Sequence, residues 1–286
     1  MPLPVQPLKH LCYRTMRIPK ITEINPLNKK FDHKSDSTHP IFLFYHIYCG
    51  PNDWEGIVSE QLSIIKMSGL WKKINKFFIT IIGSEYEQEK IKELFKEVSY
   101  EIVYASDDAS CFEFPSLERM KELSGQEKFY AVYIHTKGAS YSRKEKFDSI
   151  THNDWNWKLR QLMNWRMLMN YFVLYKWNIA VNALNEGYQA YGILKRNLPC
   201  PHFSGNFWWS NSELIKSAVN IDVDFKKDRY NAEFWILSGC KETEKIYSPF
   251  ERGLLLTVEL TDNNRLNLLP WWHKKNLLYL LNSFIR

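Results

Sequence analysis

The stretch IFLFYHIY, residues 41–48, decides the fold, because almost every side chain in it is apolar or aromatic. A run of this kind predicts a strand that is buried on both faces. A turn follows at once (CGPND), in which Asn52 or Asp53 is placed to cap a helix over residues 54–68. A buried strand followed directly by a helix is the first unit of a parallel α/β sheet.

Strand and helix patterns then alternate along the following residues. Further buried strands are predicted at residues 77–83, 100–105 and 129–135, and helices at residues 85–98 and 116–123. This alternation predicts an α/β fold with a Rossmann-type, mostly parallel sheet and flanking helices. Ligands of such sheets bind beyond the carboxyl ends of the strands. The candidate segments at these ends are residues 45–50, 106–108 and 135–140.

Composition divides the chain into one domain and two extensions. Residues 1–40 contain six of the 12 prolines and carry +4 of the net charge of +6. We predict a basic, proline-rich N-terminal extension (1–40), a domain (41–250) with halves at 41–140 and 141–250, and a C-terminal extension (251–286). Residues 155–184 contain no Gly or Pro and predict one long helix, or two.

Charge and cysteine content limit the classes of protein. Outside the N-terminal extension the chain is close to neutral, so the domain gives no general nucleic-acid signal. The spacings of the five cysteines match no metal motif or disulfide framework, which favours a reduced, cytoplasmic setting. We expect neither a signal peptide nor a membrane span, because no long uncharged apolar run occurs.

The segment YIHTKG (133–138) ends a predicted strand in three polar residues and a glycine. Glycine permits close approach of a ligand to the backbone, and Lys137 offers a point charge suited to phosphate. The segment is therefore either a ligand-facing strand end or an ordinary exit into a loop with a solvated lysine.

Three further segments set polar residues among aromatic ones. HFSGNFWW (202–209) suits a pocket that hydrogen-bonds a sugar and stacks on it, or a buried turn whose rings belong to the core. In RYNAEFW (229–235), Glu233 either pairs with Arg229 or lies in a cleft, where partial desolvation makes it a better base. In FEFPS, Glu113 either caps a helix or reaches a ribose or sugar hydroxyl.

Taken together, YIHTKG, WRMLMNYF (165–172), HFSGNFWW and RYNAEFWI resemble a family of bacterial and large-virus glycosyltransferases of GT-A fold. The segment FEFPSL is similar to the same family. Its members are linked with capsule, lipopolysaccharide or virion glycans. The resemblance covers about residues 42–236 and does not specify a sugar. It implies transfer of a hexosyl or deoxyhexosyl unit from a nucleoside diphosphate sugar to a hydroxyl group.

The resemblance also implies roles for individual residues. The half 41–140 would bind the nucleotide and the half 141–250 the acceptor, with Glu233 as the catalytic base. The implied donor-binding residues are His46, Tyr48, Glu113, His135, Thr136, Lys137 and Gly138. The implied acceptor-binding residues are His202, Ser204, Asn206 and Trp208.

One departure from the family concerns the metal. GT-A enzymes usually end the fourth strand in Asp-x-Asp, which holds Mn²⁺ or Mg²⁺ on the diphosphate. The same place here reads His135-Thr136-Lys137. Either Lys137 replaces the charge of the metal, or Asp107 and Asp108 supply ligands from the end of the third strand.

We therefore expect an inverting glycosyltransferase whose partners are a nucleotide sugar and a glycan or lipid-linked acceptor. Retention of configuration would also leave a carboxylate near the reacting carbon. Two other classes stay open. One is a carbohydrate-binding or scaffold protein that kept the fold and lost catalysis. The other is a nucleic-acid-binding protein that uses the basic N-terminal extension. We rank this class below both the glycosyltransferase and the carbohydrate-binding protein.

The C-terminal stretch 268–286 is apolar, aromatic and basic. It suits contact with a membrane surface, with its basic residues against anionic headgroups, or a terminal helix folded back on the core. The expected location is the cytoplasm, with peripheral contact at the inner face of the membrane in the first case.

Overall fold

Strand β1 (Ile41–Tyr48) lies inside a seven-stranded sheet and is buried along almost its whole length. The structure, a computed structural model, describes residues 25, 27–141, 162–163 and 165–250. In these residues the fold class is as predicted from the sequence, a mostly parallel α/β sheet with helices on both faces.

The sheet has the strand order β3-β2-β1-β4-β8-β5-β9. The strands after β1 are β2 (Ile74–Ile82), β3 (Glu101–Ser106), β4 (Tyr130–His135), β5 (Ala190–Gly192), β6 (Lys195–Arg196), β7 (His202–Phe203), β8 (Trp208–Asn211) and β9 (Ile246–Tyr247). β8 runs antiparallel to both of its neighbours, and the other pairs in the sheet are parallel. β6 and β7 form a separate two-stranded ribbon.

Helices connect and cover these strands. They are α1 (Asn28–Phe31), α2 (Trp54–Met67), α3 (Glu85–Leu94), α4 (Phe114–Ser124), α5 (Trp177–Asn185), α6 (Ser212–Ser217) and α7 (Asn231–Phe234). Asp53, one of the two predicted caps, accepts a hydrogen bond from the backbone N–H of Gly56 at the start of α2 (3.2 Å). Ser84 and Glu87 form a capping box at the start of α3.

The alternating side chains of β1 divide the core into two layers. Leu43, Tyr45 and Ile47 pack in one layer with residues of α2 and α5. Phe42 and Phe44 pack in the other layer with residues of α4 and α6. Burial on both faces explains why the strand reads as a continuous apolar run rather than an alternating one.

A buried polar network lies beneath the carboxyl end of β4. The guanidinium of Arg166, 4% exposed, donates two hydrogen bonds to the carboxylate of Glu60 (3.0 and 3.1 Å), whose side chain is 2% exposed. Asn170 donates to the same carboxylate (2.7 Å). Gln61 accepts a hydrogen bond from the hydroxyl of Tyr45. The network joins α2 to the helical residues 165–170.

The network also holds the backbone at the end of β4. Arg166 donates to the carbonyl of Lys137 (3.2 Å), and Gln61 donates to the carbonyl of His135 (3.1 Å). These bonds fix the backbone of His135 and Lys137, whose side chains belong to the candidate site.

Residues 155–184, for which one long helix or two were predicted, contain an interruption in the described part. Residues 165–170 are helical, a π-helical turn follows at Tyr171–Tyr175, and α5 begins only at Trp177. Residues 155–161 lie outside the described residues.

Side chains from the sheet explain the interruption. The indole of Trp209 donates to the carbonyl of Val173 (2.8 Å), and the hydroxyl of Tyr191 donates to the carbonyl of Phe172 (3.1 Å). Groups that enter the helical hydrogen-bond ladder in this way distort it. Two fully buried side chains thus hold the π turn against the sheet.

The extensions are only partly described. Residues 27–40 lie on the domain, where Asn182 of α5 donates to the carbonyls of Phe31 (2.7 Å) and His33 (2.9 Å). The C-terminal stretch 268–286 lies outside the described residues, so its membrane-surface contact stays a prediction. Among the described helices, none combines the length and the apolar character needed to cross a membrane.

We predict that Arg166→Met lowers the free energy of unfolding by about 3–5 kcal/mol, because it leaves the Glu60 carboxylate buried without its partner. Urea unfolding followed by circular dichroism measures the effect. The control Lys96→Met removes a pair whose side chains are 63% and 69% exposed, and it should cost at most about 1 kcal/mol. The double variant with Glu60→Leu should regain part of the loss. Equal, small effects of Arg166→Met and Lys96→Met would contradict the prediction.

Candidate functional site

The candidate site lies at the carboxyl ends of β1 and β4. From β1 the chain adds β2 and β3 on one side, whereas β4 pairs with the other side of β1. The strand order therefore reverses between β1 and β4, and such a switch point leaves a crevice where open α/β sheets bind ligands. The segments predicted from the sequence, 45–50 and 135–140, meet at this place, since His46 and His135 are paired in register.

His135 ends β4 and is held on several sides. Its Nε2 lies 3.0 Å from the carbonyl oxygen of Gly205, and its ring packs against Phe207 at a centroid distance of 5.1 Å. Burial, together with the nearby charge of Lys137, lowers the pKa of His135 to about 3. The imidazole is therefore neutral at pH 7, and its 3.8 Å approach to Glu113 is not an ion pair.

Glu113 lies at the start of α4, and its carboxylate turns toward β4. One carboxylate oxygen accepts hydrogen bonds from the hydroxyl of Tyr133 (2.8 Å) and from the side-chain amide of Asn206. The alternative that this side chain caps α4 is wrong, because it makes no capping hydrogen bond. Its side chain is 21% exposed and so remains accessible from the site.

Glu233 belongs to the short helix α7. One carboxylate oxygen accepts a hydrogen bond from the backbone N–H of Gly205 (2.9 Å). The alternative of an Arg229–Glu233 pair is not seen in the described residues, and Arg229 instead donates to the hydroxyl of Tyr230 (3.1 Å). The carboxylate is thus oriented by a neutral donor.

Lys137 follows β4, and its ammonium group lies over the ring of Trp165, 4.3 Å from the centroid. Burial lowers the pKa of Lys137, while the carboxylates of Glu233 and Glu113 oppose this shift. Within the part of the chain that the structure describes, neither carboxylate forms a salt bridge with it. The lysine is therefore a partly buried cation near two carboxylates that are bound to other groups.

A single turn, Gly205-Asn206, connects these groups. The carbonyl of Gly205 accepts a hydrogen bond from Nε2 of His135, and the N–H of Gly205 donates to Glu233. The side-chain amide of Asn206 donates to Glu113. Both residues of the turn have positive φ, 91° and 55°. Glycine and asparagine are the residues that adopt this conformation most readily. A Cβ on Gly205 would also lie 2.5 Å from the sulfur of Met169.

Thr136 and Gly138, two of the predicted donor-binding residues, have structural roles in this arrangement. The Thr136 hydroxyl bonds the backbone N–H (2.8 Å) and carbonyl (3.0 Å) of Tyr48 and so ties β1 to β4. A Cβ on Gly138 would lie 2.9 Å from Leu162, so the absence of a side chain at this glycine makes room for the leucine. Tyr48 is half-buried at the end of β1.

His46 lies below the site in the core. It is 4% exposed, and its Nδ1 has no hydrogen-bond partner in the described residues. Burial lowers the pKa of His46 to about 4, while Glu113 opposes the shift and His135 adds to it. The side chain is therefore neutral and supports the site from below.

The predicted acceptor-binding residues are divided between the core and the site. Trp208 is completely buried and packs against Tyr133, so it belongs to the core rather than to a wall that a ligand could touch. His202 is 8% exposed and lies beside Phe234. Asn206 is buried, and its role is to hold Glu113. The structure thus brings His202 and Asn206 next to the site. Ser204, which is partly exposed, lies within the same segment.

The residues in the place of the Asp-x-Asp pattern do not fit a Mn²⁺ or Mg²⁺ site. Such ions need several oxygen ligands, whereas the Thr136 hydroxyl is bonded to backbone and His135 offers nitrogen. At the end of β3, Asp108 accepts from the backbone N–H of Ser110 (2.9 Å). Asp107 and Asp108 gather no third ligand, since no group of three or more His, Cys, Asp or Glu that could hold a metal occurs in the described residues.

Sequence reasoning assigned no role to the residues that support the site, namely Glu60, Gln61, Asn170, Trp165 and Gly205, although the last three lie in segments that it quoted. One signal was present in α2, where Gln61 lies four residues from both Ile57 and Ile65 on the buried face. A polar residue within an apolar stripe indicates a buried hydrogen-bond network. Arg166 gave a similar signal among the apolar residues Trp165, Met167, Leu168 and Met169.

Comparison with known proteins places the chain in a family. Residues 44–245 match the family described as Domain of unknown function (DUF8361), and the chain belongs to it. No curated protein matches the sequence. The fold is similar to the crystal structure of 4-diphosphocytidyl-2C-methyl-D-erythritolsynthase from Anaerococcus prevotii, with 12% identity and a TM-score of 0.37 over 86% of this chain and 96% of that one. Likeness at this level carries no argument about activity, and the resemblance to glycosyltransferases stays a prediction.

We predict that the protein loses stability as the pH falls below about 6.5, the ordinary pKa of histidine. His46 and His135 have folded-state pKa values of about 4 and about 3. Between these values and 6.5 the unfolded chain binds more protons, so the free energy of unfolding rises with pH. Each histidine contributes at most about 1.4 kcal/mol per pH unit.

Urea unfolding between pH 5 and 7 measures this slope. His46→Gln should reduce the slope by up to about 1.4 kcal/mol per pH unit, which corresponds to one proton. The control His33→Gln, at an exposed position, should leave the slope unchanged. Parallel curves for the wild type and His46→Gln would show that His46 is not buried in its neutral form.

Proposed function

We propose that this chain is a glycosyltransferase that uses a nucleoside diphosphate sugar as donor. The observation that carries the proposal is the partly buried ammonium group of Lys137 at the strand-order switch point, near two carboxylates that do not pair with it. Anionic ligands are favoured where a cation in a crevice is not already neutralised. The resemblance of five sequence segments to glycosyltransferases, one of which contains Lys137, is consistent with the proposal.

The diphosphate of the donor would lie against Lys137. When the bond between the sugar and the diphosphate breaks, negative charge develops on the leaving oxygen, and a fixed cation stabilises that charge. The lowered pKa of Lys137 would rise again beside a diphosphate, because an anion favours the charged form of the amine. No step of this proposal passes through a metal.

Glu233 would act as the base. Its carboxylate takes the proton of an acceptor hydroxyl while the hydroxyl oxygen attacks the anomeric carbon, and the electron pair of the breaking bond leaves with the diphosphate. Gly205 holds one oxygen of Glu233 (2.9 Å). The second oxygen has no hydrogen-bond partner in the described residues and is available to the acceptor. Attack from the face opposite to the diphosphate inverts the configuration.

The acceptor would approach from the half 141–250. His202 and Ser204 stand on that side, next to the turn that orients Glu233. A glycan or lipid-linked hydroxyl is the acceptor class that we propose, and the cytoplasm is the compartment that supplies nucleotide sugars.

We predict that Glu233→Gln reduces transfer by about 10²–10⁴-fold while donor binding stays nearly intact. The glutamine oxygen can still accept from Gly205, so the turn should keep its shape. Release of nucleoside diphosphate from a panel of nucleotide sugars, with mixed glycan acceptors, measures the rate. The control is Glu244→Gln, which changes an exposed carboxylate. Turnover of Glu233→Gln within a few-fold of the wild type would place the base elsewhere.

We also predict that Lys137→Met weakens nucleoside diphosphate binding by about 10- to 100-fold, the effect of losing one charged hydrogen bond. Isothermal titration calorimetry with UDP, GDP and ADP measures it, and Lys128→Met, on the exposed approach to β4, is the control. Unchanged affinity would contradict the proposed position of the diphosphate. Tight binding of glycans without nucleotide binding would instead favour a carbohydrate-binding protein that lost catalysis.

A further inference from the structure

The protonation of His135 follows from its contact with Gly205. A backbone carbonyl can only accept a hydrogen bond, so Nε2 of His135 must carry the hydrogen that it shares with the Gly205 oxygen (3.0 Å). Since the imidazole is neutral at pH 7, its Nδ1 carries no hydrogen and presents a lone pair. The tautomer is thus assigned from the hydrogen-bond network.

A second acceptor lies close to Nδ1 of His135. Nδ1 of His135 lies 3.8 Å from Oε1 of Glu113. The other carboxylate oxygen of Glu113 already receives the hydroxyl of Tyr133 and the amide of Asn206. Oε1 itself receives no hydrogen bond from any described residue.

Two acceptors therefore face each other without a hydrogen between them. At 3.8 Å the two atoms are beyond hydrogen-bond distance, yet they are close enough for one ligand to contact both. The side chains of His135 and Glu113 are 13% and 21% exposed, so both remain within reach of a ligand. Both acceptors lack a donor among the described residues, and a bound ligand can supply hydrogens to them.

We propose that the His135–Glu113 acceptor pair reads a vicinal diol of the ligand. Two neighbouring hydroxyls can each donate one hydrogen, one to Nδ1 and one to Oε1, whereas a single hydroxyl can satisfy only one of the two acceptors. The proposal rests on the proposed function, because the nucleotide sugar is what brings a diol to this place. The ribose and the transferred sugar both offer that chemistry.

Glu113→Gln tests the pair without dismantling the site. The donors from Tyr133 and Asn206 require an acceptor, so the glutamine oxygen should take the place of the bonded carboxylate oxygen. Its amide group then faces Nδ1 of His135 and donates to it, which closes the acceptor pair. The control is Glu118→Gln on the same helix, where the carboxylate pairs with Lys226 at the surface.

Binding is measured by isothermal titration calorimetry. One arm compares UDP and GDP with their 2′-deoxy and 3′-deoxy forms, and the other compares UDP-glucose and GDP-mannose with analogues that lack one ring hydroxyl. In one arm, loss of a hydroxyl should weaken binding to the wild type and to Glu118→Gln by about 10- to 100-fold. In Glu113→Gln the same loss should change the affinity by less than about threefold, well below the 10- to 100-fold change expected of the wild type.

The outcomes separate the two proposals. Binding of nucleotides with no penalty for any missing hydroxyl, or a penalty that is equal in Glu113→Gln and the wild type, would overturn the diol reading and leave the proposed function standing. If none of the nucleotides or nucleotide sugars binds the wild type, the proposed function is wrong and the diol reading with it. The arm that shows the penalty identifies whether the ribose or the transferred sugar is read.

Discussion

The buried pair of Glu60 and Arg166 is the interaction on which the site depends. Its two hydrogen bonds join α2 to the helical residues 165–170, and Nη1 of Arg166 donates to the carbonyl of Lys137. A buried ion pair does little for stability on balance, because desolvation of both charges offsets their attraction. Its consequence here is positional, since the strand end that carries His135 and Lys137 is held in one arrangement between two helices.

The Gly205-Asn206 turn supplies the matching constraint from the other half of the domain. It reaches His135, Glu113 and Glu233 with one carbonyl, one side-chain amide and one N–H. These three side chains come from segments far apart in the sequence, so the turn makes their geometry interdependent. A change in the turn would move the carboxylate of Glu233 and the acceptor pair together, which couples the two sides of the site.

The sequence predicted the fold because the fold depends on local patterns. The apolar run of β1 and the regular alternation of strands and helices specify a parallel sheet without reference to distant residues, and the C-terminal ends of β1 and β4 follow from it. The candidate site was predicted less well, because polar side chains at a strand end look alike in sequence. The Thr136 side chain bonds the backbone of Tyr48, whereas the side chain of Lys137 lies over the ring of Trp165. Only the different directions of the two side chains decide this difference. Trp208 shows the same limit, since an aromatic residue that suits a sugar also suits a core.

The way in which the carboxylates are satisfied gives the site its electrostatic character. Glu113 receives hydrogen bonds from a hydroxyl and an amide, and Glu233 receives one from a backbone N–H. These donors are neutral, so in the described residues each carboxylate is oriented without a salt bridge to Lys137. Had either carboxylate bound the lysine directly, an entering anion would have had to break an ion pair in a poorly hydrated place. Because neutral groups orient the carboxylates, Lys137 keeps, within the described residues, a cation–π contact with Trp165 and a longer-range attraction to both carboxylates, and our proposal places the anionic ligand against this ammonium group.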